Sequence, residues 1–240
     1  MTVFVLVPGA WKGAWAYEHV VPLLERAGHT AHALTLTGLR PDDAPAVVAT
    51  AGLDTHASDV LRLLDRTRAT GVTLVGHSYA GLVVAAAADR AAGRVARLVH
   101  LDAYVPEDGD SCWSSTNAHF REVFAAGAAD TGYSVAPPGH RGDPRRRPHP
   151  LASFLQTVRL TGAHARVPRR EFVYCAGWED RTPFTALRTR LLADPGWRVH
   201  TLPTGHDAMR EAPEAVAALL LDAGEGDTPT LRSDRIPVRR

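Results

Sequence analysis

Short runs of apolar, often β-branched residues alternate along the chain with longer segments whose apolar residues recur every three or four positions. The short runs lie at 3–7, 30–36, 72–76, 97–102, 171–177 and 197–203. Most of them are apolar on both faces, which is typical of strands in the middle of a parallel sheet. Helical periods fill the intervals 15–27, 54–69, 79–91, 184–193 and 212–222. This alternation predicts βαβ units, and therefore an α/β fold with a mostly parallel central sheet and helices on both faces.

Two regions break the alternation. The segment 104–168 separates two predicted strands by far more than one crossover helix requires. It contains two helix-like pieces, NAHFREVFAAGAA and HPLASFLQTVRL, joined by the Pro-, Gly- and Arg-rich APPGHRGDPRRRPHP. We therefore predict a core formed by 1–103 and 169–222, with 104–168 as a small helical cap or lid. The polar, proline-containing segment 223–240 is predicted to be a disordered tail.

Composition and charge narrow the class of protein. Of 240 residues, 45% are hydrophobic and 22% charged, which is sufficient for one sizeable core. With 27 Lys and Arg against 26 Asp and Glu, the balance offers no electrostatic case for nucleic acid or an anionic membrane. No signal-peptide pattern and no apolar stretch of about 18 residues is present. We therefore expect a cytoplasmic protein that acts on a small molecule, while its oligomeric state leaves no readable mark.

The cysteines give no sign of a metal or a disulfide framework. There are two, Cys112 and Cys175, and neither has neighbours at metal-ligand spacing. Cys175 lies in the apolar run FVYCA and is expected to be a buried strand residue. We expect no metal site.

Ser78 lies at the junction between a predicted strand and a predicted helix, in VTLVGHSYAGLVV. The helix N-terminus there directs backbone N–H groups and a partial positive charge at the neighbouring space. Small residues on both sides, Gly76, Ala80 and Gly81, let the strand and the helix approach closely around a strained turn. Ala80 differs by one methyl group from the glycine of the G-x-S-x-G pattern. A serine that only caps the helix does not account for these neighbours, so we predict that Ser78 is a nucleophile.

A serine hydroxyl needs a histidine base, and the histidine needs a carboxylate that orients it. His206 directly follows the last predicted strand, in TGHDAM, and is the predicted base. Asp180 follows the preceding strand, in GWEDRTP, and is the preferred acid. Asp102 also ends a strand, in RLVHLD, and is the alternative acid. His77, beside the serine, is expected to have a structural role.

The oxyanion of a tetrahedral intermediate needs backbone donors near the serine. The N–H of Tyr79, directly after Ser78, is one candidate. The second is the N–H of Ala10, with that of Trp11 next, because VPGAWKGAW follows the first strand and Gly9 permits a tight turn. Aromatic residues near these loops and in the insert are candidate walls of a substrate pocket: Trp11, Tyr79, Tyr104, Trp113, Phe120 and Phe154.

Several segments together carry a family resemblance. FVLVPGAWKGAWAYEHVVPLLERAGHTAHALTLTGL, LVGHSYAG, HLDAYVP, GWEDRTPF and GHDAMREAP resemble the α/β-hydrolase superfamily, and within it the small esterase and hydroxynitrile-lyase-like branch that includes plant methylesterases. The match runs from residue 3 to residue 222 and is loosest over the insert. It implies the α/β-hydrolase fold, a cap over the active site, a Ser–His–Asp triad and no cofactor. By motif position these triad roles fall on Ser78, His206 and Asp180.

Two positions depart from the pattern of that branch. Pro8 precedes Gly9 where family members commonly have histidine in the oxyanion loop. Asp207 follows His206 where the resembling hydroxynitrile lyases carry lysine. Because a carboxylate would not stabilise a departing cyanide, the sequence favours hydrolysis over lyase chemistry.

The expected activity is hydrolysis of a small, largely apolar carboxylic ester, such as a methyl or aryl ester, through an acyl-enzyme. The alternative on the same fold is a cyclase, a lactonase or a C–C-bond-cleaving enzyme of natural-product metabolism, with His206 as base and little or no acyl-enzyme. A third interpretation is a non-catalytic ligand-binding protein on this scaffold, against which the apparent triad argues. The substrate depends on the insert 104–168, whose conformation the sequence does not define.

Overall fold

A computed structural model describes residues 1–91, 93–139 and 142–222, and the predicted tail 223–240 lies outside these described residues. The strands are β1 (Val3–Val7), β2 (Thr30–Ala33), β3 (Val72–His77), β4 (Val95–Leu101), β5 (Ser134–Val135), β6 (His149–Pro150), β7 (Arg169–Cys175) and β8 (Arg198–Leu202). The helices are α1 (Val21–Arg26), α2 (Pro45–Thr50), α3 (Leu53–Thr67), α4 (Ala80–Arg90), α5 (Cys112–Ser115), α6 (Ala118–Ala128), α7 (Leu151–Leu155), α8 (Thr185–Leu192), α9 (Ala208–Glu211) and α10 (Pro213–Leu221).

Six strands form one parallel sheet in the order β2-β1-β3-β4-β7-β8. β3 lies between β1 and β4, with Leu74 opposite Val5 on one side and His77 opposite Leu101 on the other. The loops that follow β1, β3 and β4 therefore emerge next to one another at the carboxyl edge of the sheet. The predicted α/β class with a mostly parallel sheet is confirmed.

The core has two layers, one on each face of this sheet. Along β1, Val5 and Val7 pack into a cluster that includes residues of α3 and α4. The alternate residues Phe4 and Leu6 pack into a second cluster with residues of α1 and α10. Successive side chains of a strand point to opposite faces, so a strand covered on both faces must be continuously apolar. This requirement explains the unbroken apolar runs.

Prolines set several helix starts, and one predicted helix is divided. The interval 15–27 consists of a 3-10 turn, Ala14–Tyr17, followed by α1, which carries a proline in its first turn. A proline at that position lacks only an N–H that the helix would leave unpaired.

The short helices α2 and α9 are not predicted from the sequence, because their lengths of 6 and 4 residues give too little periodicity.

The long insert between β4 and β7 carries α5, α6 and α7 together with the short antiparallel pair β5–β6. We propose the division into a core, 1–103 and 169–222, and a cap, 104–168, on this arrangement. In the described part of the chain, no helix combines the length and the hydropathy that a membrane crossing requires.

Candidate active site

Ser78 occupies a strained turn between β3 and α4. Its φ is 55°, in the left-handed region that costs a non-glycine residue about 1–3 kcal/mol. Three backbone hydrogen bonds hold the turn: the Ser78 N–H donates to the Leu101 carbonyl at 3.3 Å, and the Ser78 carbonyl accepts from Gly81 at 3.0 Å and from Tyr104 at 3.2 Å. The serine is thus presented at the carboxyl edge of the sheet, as the sequence predicts.

The small residues around Ser78 serve two different close approaches. A Cβ on Gly76 would lie 2.6 Å from the Ala80 carbonyl oxygen, so this glycine lets β3 and α4 come together. A Cβ on Gly81 would lie 2.0 Å from the Tyr104 carbonyl oxygen, so this glycine admits the chain that leaves β4. Ala80, at the position of the pattern's glycine, is itself fully buried without a left-handed φ. The alanine is therefore compatible with the turn.

The side chain of His206 is paired with Asp102. The His206 Nδ1–H donates to Asp102 Oδ2 across 2.7 Å. Asp102 is completely buried and also accepts from Trp178 Nε1 at 2.8 Å and from the Cys175 N–H at 3.0 Å. Because Nδ1 carries the proton, the opposite ring nitrogen, Nε2, is an acceptor.

This pairing corrects the preference for Asp180. Asp180 is exposed, and in the described part of the chain it makes no hydrogen bond or ion pair with a side chain. After β7 the chain makes a 3-10 turn, Ala176–Trp178, which brings the Trp178 ring to 4.4 Å from the His206 ring and carries Asp180 away to the surface. Asp102, with φ at 43°, instead turns its carboxylate beneath the end of β7.

The environment of His206 favours its neutral form. Burial lowers its pKa below the ordinary value, the Asp102 carboxylate opposes that shift, and the Lys12 ammonium adds to it. The His77 ring lies 4.4 Å from the His206 ring, and the His77 Nε2–H donates to the His206 carbonyl at 2.8 Å. His77 thus holds the loop that carries the base, in agreement with the structural role expected for it.

The loop after β1 reaches Ser78 because Gly9 has no side chain. A Cβ on Gly9 would lie 2.8 Å from the Ser78 Cβ and 2.7 Å from His77 Nδ1. Any larger residue would push this loop away from the serine. The backbone of the loop at Gly9 therefore packs directly against the side chains of His77 and Ser78.

Of the three candidate oxyanion donors, Ala10 and Tyr79 have free backbone N–H groups in the described structure, and Trp11 does not. Among the residues that the structure describes, neither Ala10 nor Tyr79 donates its backbone N–H to another protein group. The Trp11 N–H, in contrast, donates to His149 Nδ1 at 3.3 Å. Unpaired N–H groups on both sides of a serine are what a developing oxyanion requires, so Ala10 and Tyr79 remain the proposed pair.

Two cavities meet at Ser78 and His206. The inner one, about 50 Å³, is mostly apolar and lies among aromatic rings. It is lined by the predicted wall residues Trp11, Tyr79, Tyr104, Phe120 and Phe154, and also by Cys112, Phe124, Trp178 and Phe184. The outer one, about 490 Å³, is lined mainly by polar and charged side chains. Residues of the insert contribute to both, so the insert covers the site.

Trp113 is the one predicted wall residue that lines neither of these two cavities in the described structure. It packs against the hydrophobic core, and its backbone carbonyl accepts from Arg121 Nε at 3.0 Å. Its neighbour Cys112 reaches the inner cavity instead. On the short helix α5, successive residues face different directions, so Cys112 faces the inner cavity and Trp113 does not.

Lys12 is a site residue that the sequence did not reveal. Its largely buried ammonium group lies in the outer cavity and pairs with Asp207, the residue after His206. Burial, Arg146 and Arg210 lower the pKa of Lys12 to about 7. The carboxylate at position 207 is therefore balanced by a lysine from the oxyanion loop. The position of Lys12, two residues after Ala10, is the only local signal for it.

No group of His, Cys, Asp and Glu side chains suited to a metal ion occurs within the described residues. The arrangement of a strained serine, a carboxylate-bound histidine and two free N–H groups is suited to acyl transfer.

Comparison with known proteins identifies the family of the chain. The family model of the α/β-hydrolase fold matches residues 2–133. A carbendazim-hydrolyzing esterase of Nocardioides sp. is 34% identical over 244 residues, which cover 93% of this chain and 100% of that protein. Methylesterase 2 of Arabidopsis thaliana is 33% identical over 105 residues, 43% of this chain and 40% of that protein.

Solved structures share the fold. An extracellular α/β-hydrolase from a Paenibacillus species superposes with a TM-score of 0.79 at 19% identity, covering 94% of this chain and 100% of that one. At this identity the likeness concerns the fold alone. Together with the matched family model and the esterase relative that aligns along its whole length, it shows that the chain belongs to the α/β-hydrolase family.

Proposed function

We propose that this protein is a serine esterase in which Ser78 is the nucleophile, His206 the general base and Asp102 the residue that orients the base. The observation that carries the proposal is the 2.7 Å hydrogen bond from His206 Nδ1 to the buried Asp102, beside a strained serine in the same cavity. Similarity to an esterase over 93% of the chain supports a carboxylesterase type of enzyme.

Acylation begins with Ser78. Its Oγ attacks the ester carbonyl carbon while its proton passes to His206 Nε2. The Asp102 carboxylate stabilises the imidazolium ion that forms. The carbonyl oxygen becomes an oxyanion and accepts hydrogen bonds from the Ala10 and Tyr79 N–H groups, each of which typically contributes about 3–4 kcal/mol to the transition state.

Collapse of the intermediate expels the alcohol, which takes its proton from His206, and leaves an acyl group on Ser78. Water then attacks the acyl carbon with His206 again as base, and the carboxylic acid is released. The lowered pKa of His206 keeps the base neutral at neutral pH, so it is ready to accept a proton in each half of the reaction.

The unequal cavities indicate the form of the ester. The inner cavity, about 50 Å³ and lined by aromatic rings, accommodates a small apolar group of a few carbon atoms. The outer cavity, about 490 Å³, takes the larger part and provides polar groups around it. We therefore propose a small ester with one short apolar half, as in a methyl ester.

The test is a series of p-nitrophenyl and alkyl esters assayed with the wild-type protein and with Ser78→Ala. We expect turnover of acetate and methyl esters, a steep fall in kcat/KM when both halves are bulky, and loss of turnover in Ser78→Ala. Retained turnover in that variant would contradict the role of Ser78, and absence of any ester turnover in the wild type would contradict the proposed function.

A further inference from the structure

The oxyanion loop is a tight turn with an unusual residue in it. The Lys12 N–H donates to the Gly9 carbonyl at 3.4 Å, so Ala10 and Trp11 are the two central residues of the turn. Trp11 has a φ of 65°, a signature of the type II turn, where glycine is the usual residue. A 180° flip of the Ala10–Trp11 peptide would give a type I turn and relieve this strain. An external contact must therefore hold the peptide as it is.

Trp11 is held by the insert at three points. Its N–H donates to His149 Nδ1 at 3.3 Å, its indole Nε1–H donates to the Val135 carbonyl at 2.8 Å, and its carbonyl accepts from the Arg147 N–H at 3.0 Å. Only the first of these bonds involves the Ala10–Trp11 peptide. His149 is thus the residue that opposes the flip.

His149 is fixed and is suited to accept a hydrogen bond. It is completely buried, its ring stacks on Phe154 at 4.4 Å and 18°, and it contacts the Tyr79 ring at 4.7 Å. Burial and the nearby His56 hold its pKa well below the ordinary value, so the ring is neutral and keeps its acceptor nitrogen.

The other ring nitrogen of His149 argues that its role is not packing alone. With Nδ1 accepting, the proton is on Nε2, which is buried and has no partner among the described residues. An unpaired buried donor is destabilising, and a phenylalanine among these rings would avoid it. The acceptor at Nδ1 is what the histidine provides in return.

We propose that His149 is a positioning residue that accepts from the Trp11 N–H and so holds the turn in the place where the N–H of Ala10, on the preceding peptide, faces the oxyanion. Without this acceptor the Trp11 N–H loses its partner, and the turn shifts away from Ser78 to find another. The inference rests on the proposed function and adds to it that the oxyanion hole is complete only while β6 of the insert lies against the loop. The acyl-transfer chemistry therefore depends on a contact between residues 138 positions apart.

The test compares His149→Asn with His149→Leu, which have nearly the same shape and differ in whether they offer an acceptor. Leucine suits the apolar surroundings better, so a role in packing alone predicts that the leucine variant is the more stable and the more active. A positioning role predicts instead that the asparagine variant is the more active of the two. The assay measures kcat and KM for p-nitrophenyl acetate, the Kd of phenylboronic acid, which imitates the tetrahedral intermediate, and the Tm of each variant.

We expect His149→Leu to lose about 10²-fold in kcat with little change in KM, as on weakening of an oxyanion donor, and to bind the boronic acid less tightly by a similar factor. His149→Asn should recover most of both losses despite a lower Tm. Equal activity of the two variants, or unchanged boronic acid affinity in His149→Leu, would overturn the inference, and the leucine variant alone decides it where the asparagine variant does not fold. Failure of the wild type to hydrolyse any ester would instead overturn the proposed function.

Discussion

Replacement of Asp102 by asparagine separates the acid that the structure pairs with His206 from the one that the sequence favours. Asparagine tolerates left-handed backbone better than most residues, so the φ of 43° at this position is preserved. The change removes one negative charge and one acceptor oxygen, and little else. Asp180→Asn is the matched control, since Asp180 is exposed.

The size of the effect follows from the three donors that converge on Asp102. His206 Nδ1 and Trp178 Nε1 both point at Oδ2, and the Cys175 N–H points at Oδ1. If the amide oxygen replaces Oδ1, the amide NH₂ faces His206 and forces its proton onto Nε2, which can then no longer accept the serine proton. In a Ser–His–Asp site this costs about 10⁴-fold in kcat, or about 5 kcal/mol. In the opposite orientation the amide oxygen still accepts from His206 and Trp178, but no negative charge remains to stabilise the imidazolium ion, so kcat falls by more than tenfold, and the unpaired Cys175 N–H costs about 1–3 kcal/mol of stability.

The assay is kcat and KM for p-nitrophenyl acetate, with the Tm of each variant measured by circular dichroism. Asp180→Asn should remain within about twofold of the wild type, as expected for a surface substitution. A folded Asp102→Asn variant that keeps more than a tenth of the wild-type kcat would refute this reasoning. So would an Asp180→Asn variant that is equally impaired.

Two further predictions concern Lys12 and Gly81. The base works only when it is neutral, so kcat/KM should fall as the pH drops through the pKa of His206, which burial places below the ordinary histidine value. Lys12→Met removes a cation that lowers this pKa, so the fall should move to higher pH. An unshifted profile would exclude the electrostatic influence of Lys12. Gly81→Ala places a Cβ 2.0 Å from the Tyr104 carbonyl oxygen and should lower the free energy of unfolding in urea by more than about 3 kcal/mol. Ala80→Gly should cost only about 1 kcal/mol, and equal losses would contradict the assigned contact.

The central sheet is predictable because its strands are covered on both faces. Phe4 and Leu6 pack on one side of the sheet and Val5 and Val7 on the other, which leaves a continuous apolar run in the sequence. The positions of Ser78 and His206 are predictable for a related reason, since each follows a strand whose carboxyl end lies at the same edge of the sheet.

The choice of acid depends on geometry that local sequence does not carry. Asp102 and Asp180 both follow strands, and the decision rests on the 3-10 turn Ala176–Trp178, which inserts an indole ring where a carboxylate was expected. No propensity in AGW specifies that turn, in which the Trp178 ring packs against a histidine 28 positions later in the chain.

Contacts between segments far apart in the chain are the other part that sequence reasoning does not reach. Lys12 meets Asp207 across 195 positions, and Trp11 meets His149 across 138. Each of these residues has an ordinary local setting, and its role appears only when distant segments are brought together. Trp113 shows the reverse case, because its aromatic character suggested a pocket wall while its place on α5 turns it toward the core.

The most direct test of the account is whether Ser78 forms an acyl-enzyme. p-Nitrophenyl dimethylcarbamate is a suitable probe, because the carbamoyl-enzyme that it forms with a nucleophilic serine is hydrolysed slowly. The account predicts a burst of one p-nitrophenolate per chain, a dimethylcarbamoyl group located on Ser78 by peptide mass spectrometry, and neither signal in Ser78→Ala. Ester turnover by the wild type with no burst and an unmodified Ser78 would contradict the account and favour a reaction in which His206 acts as base alone.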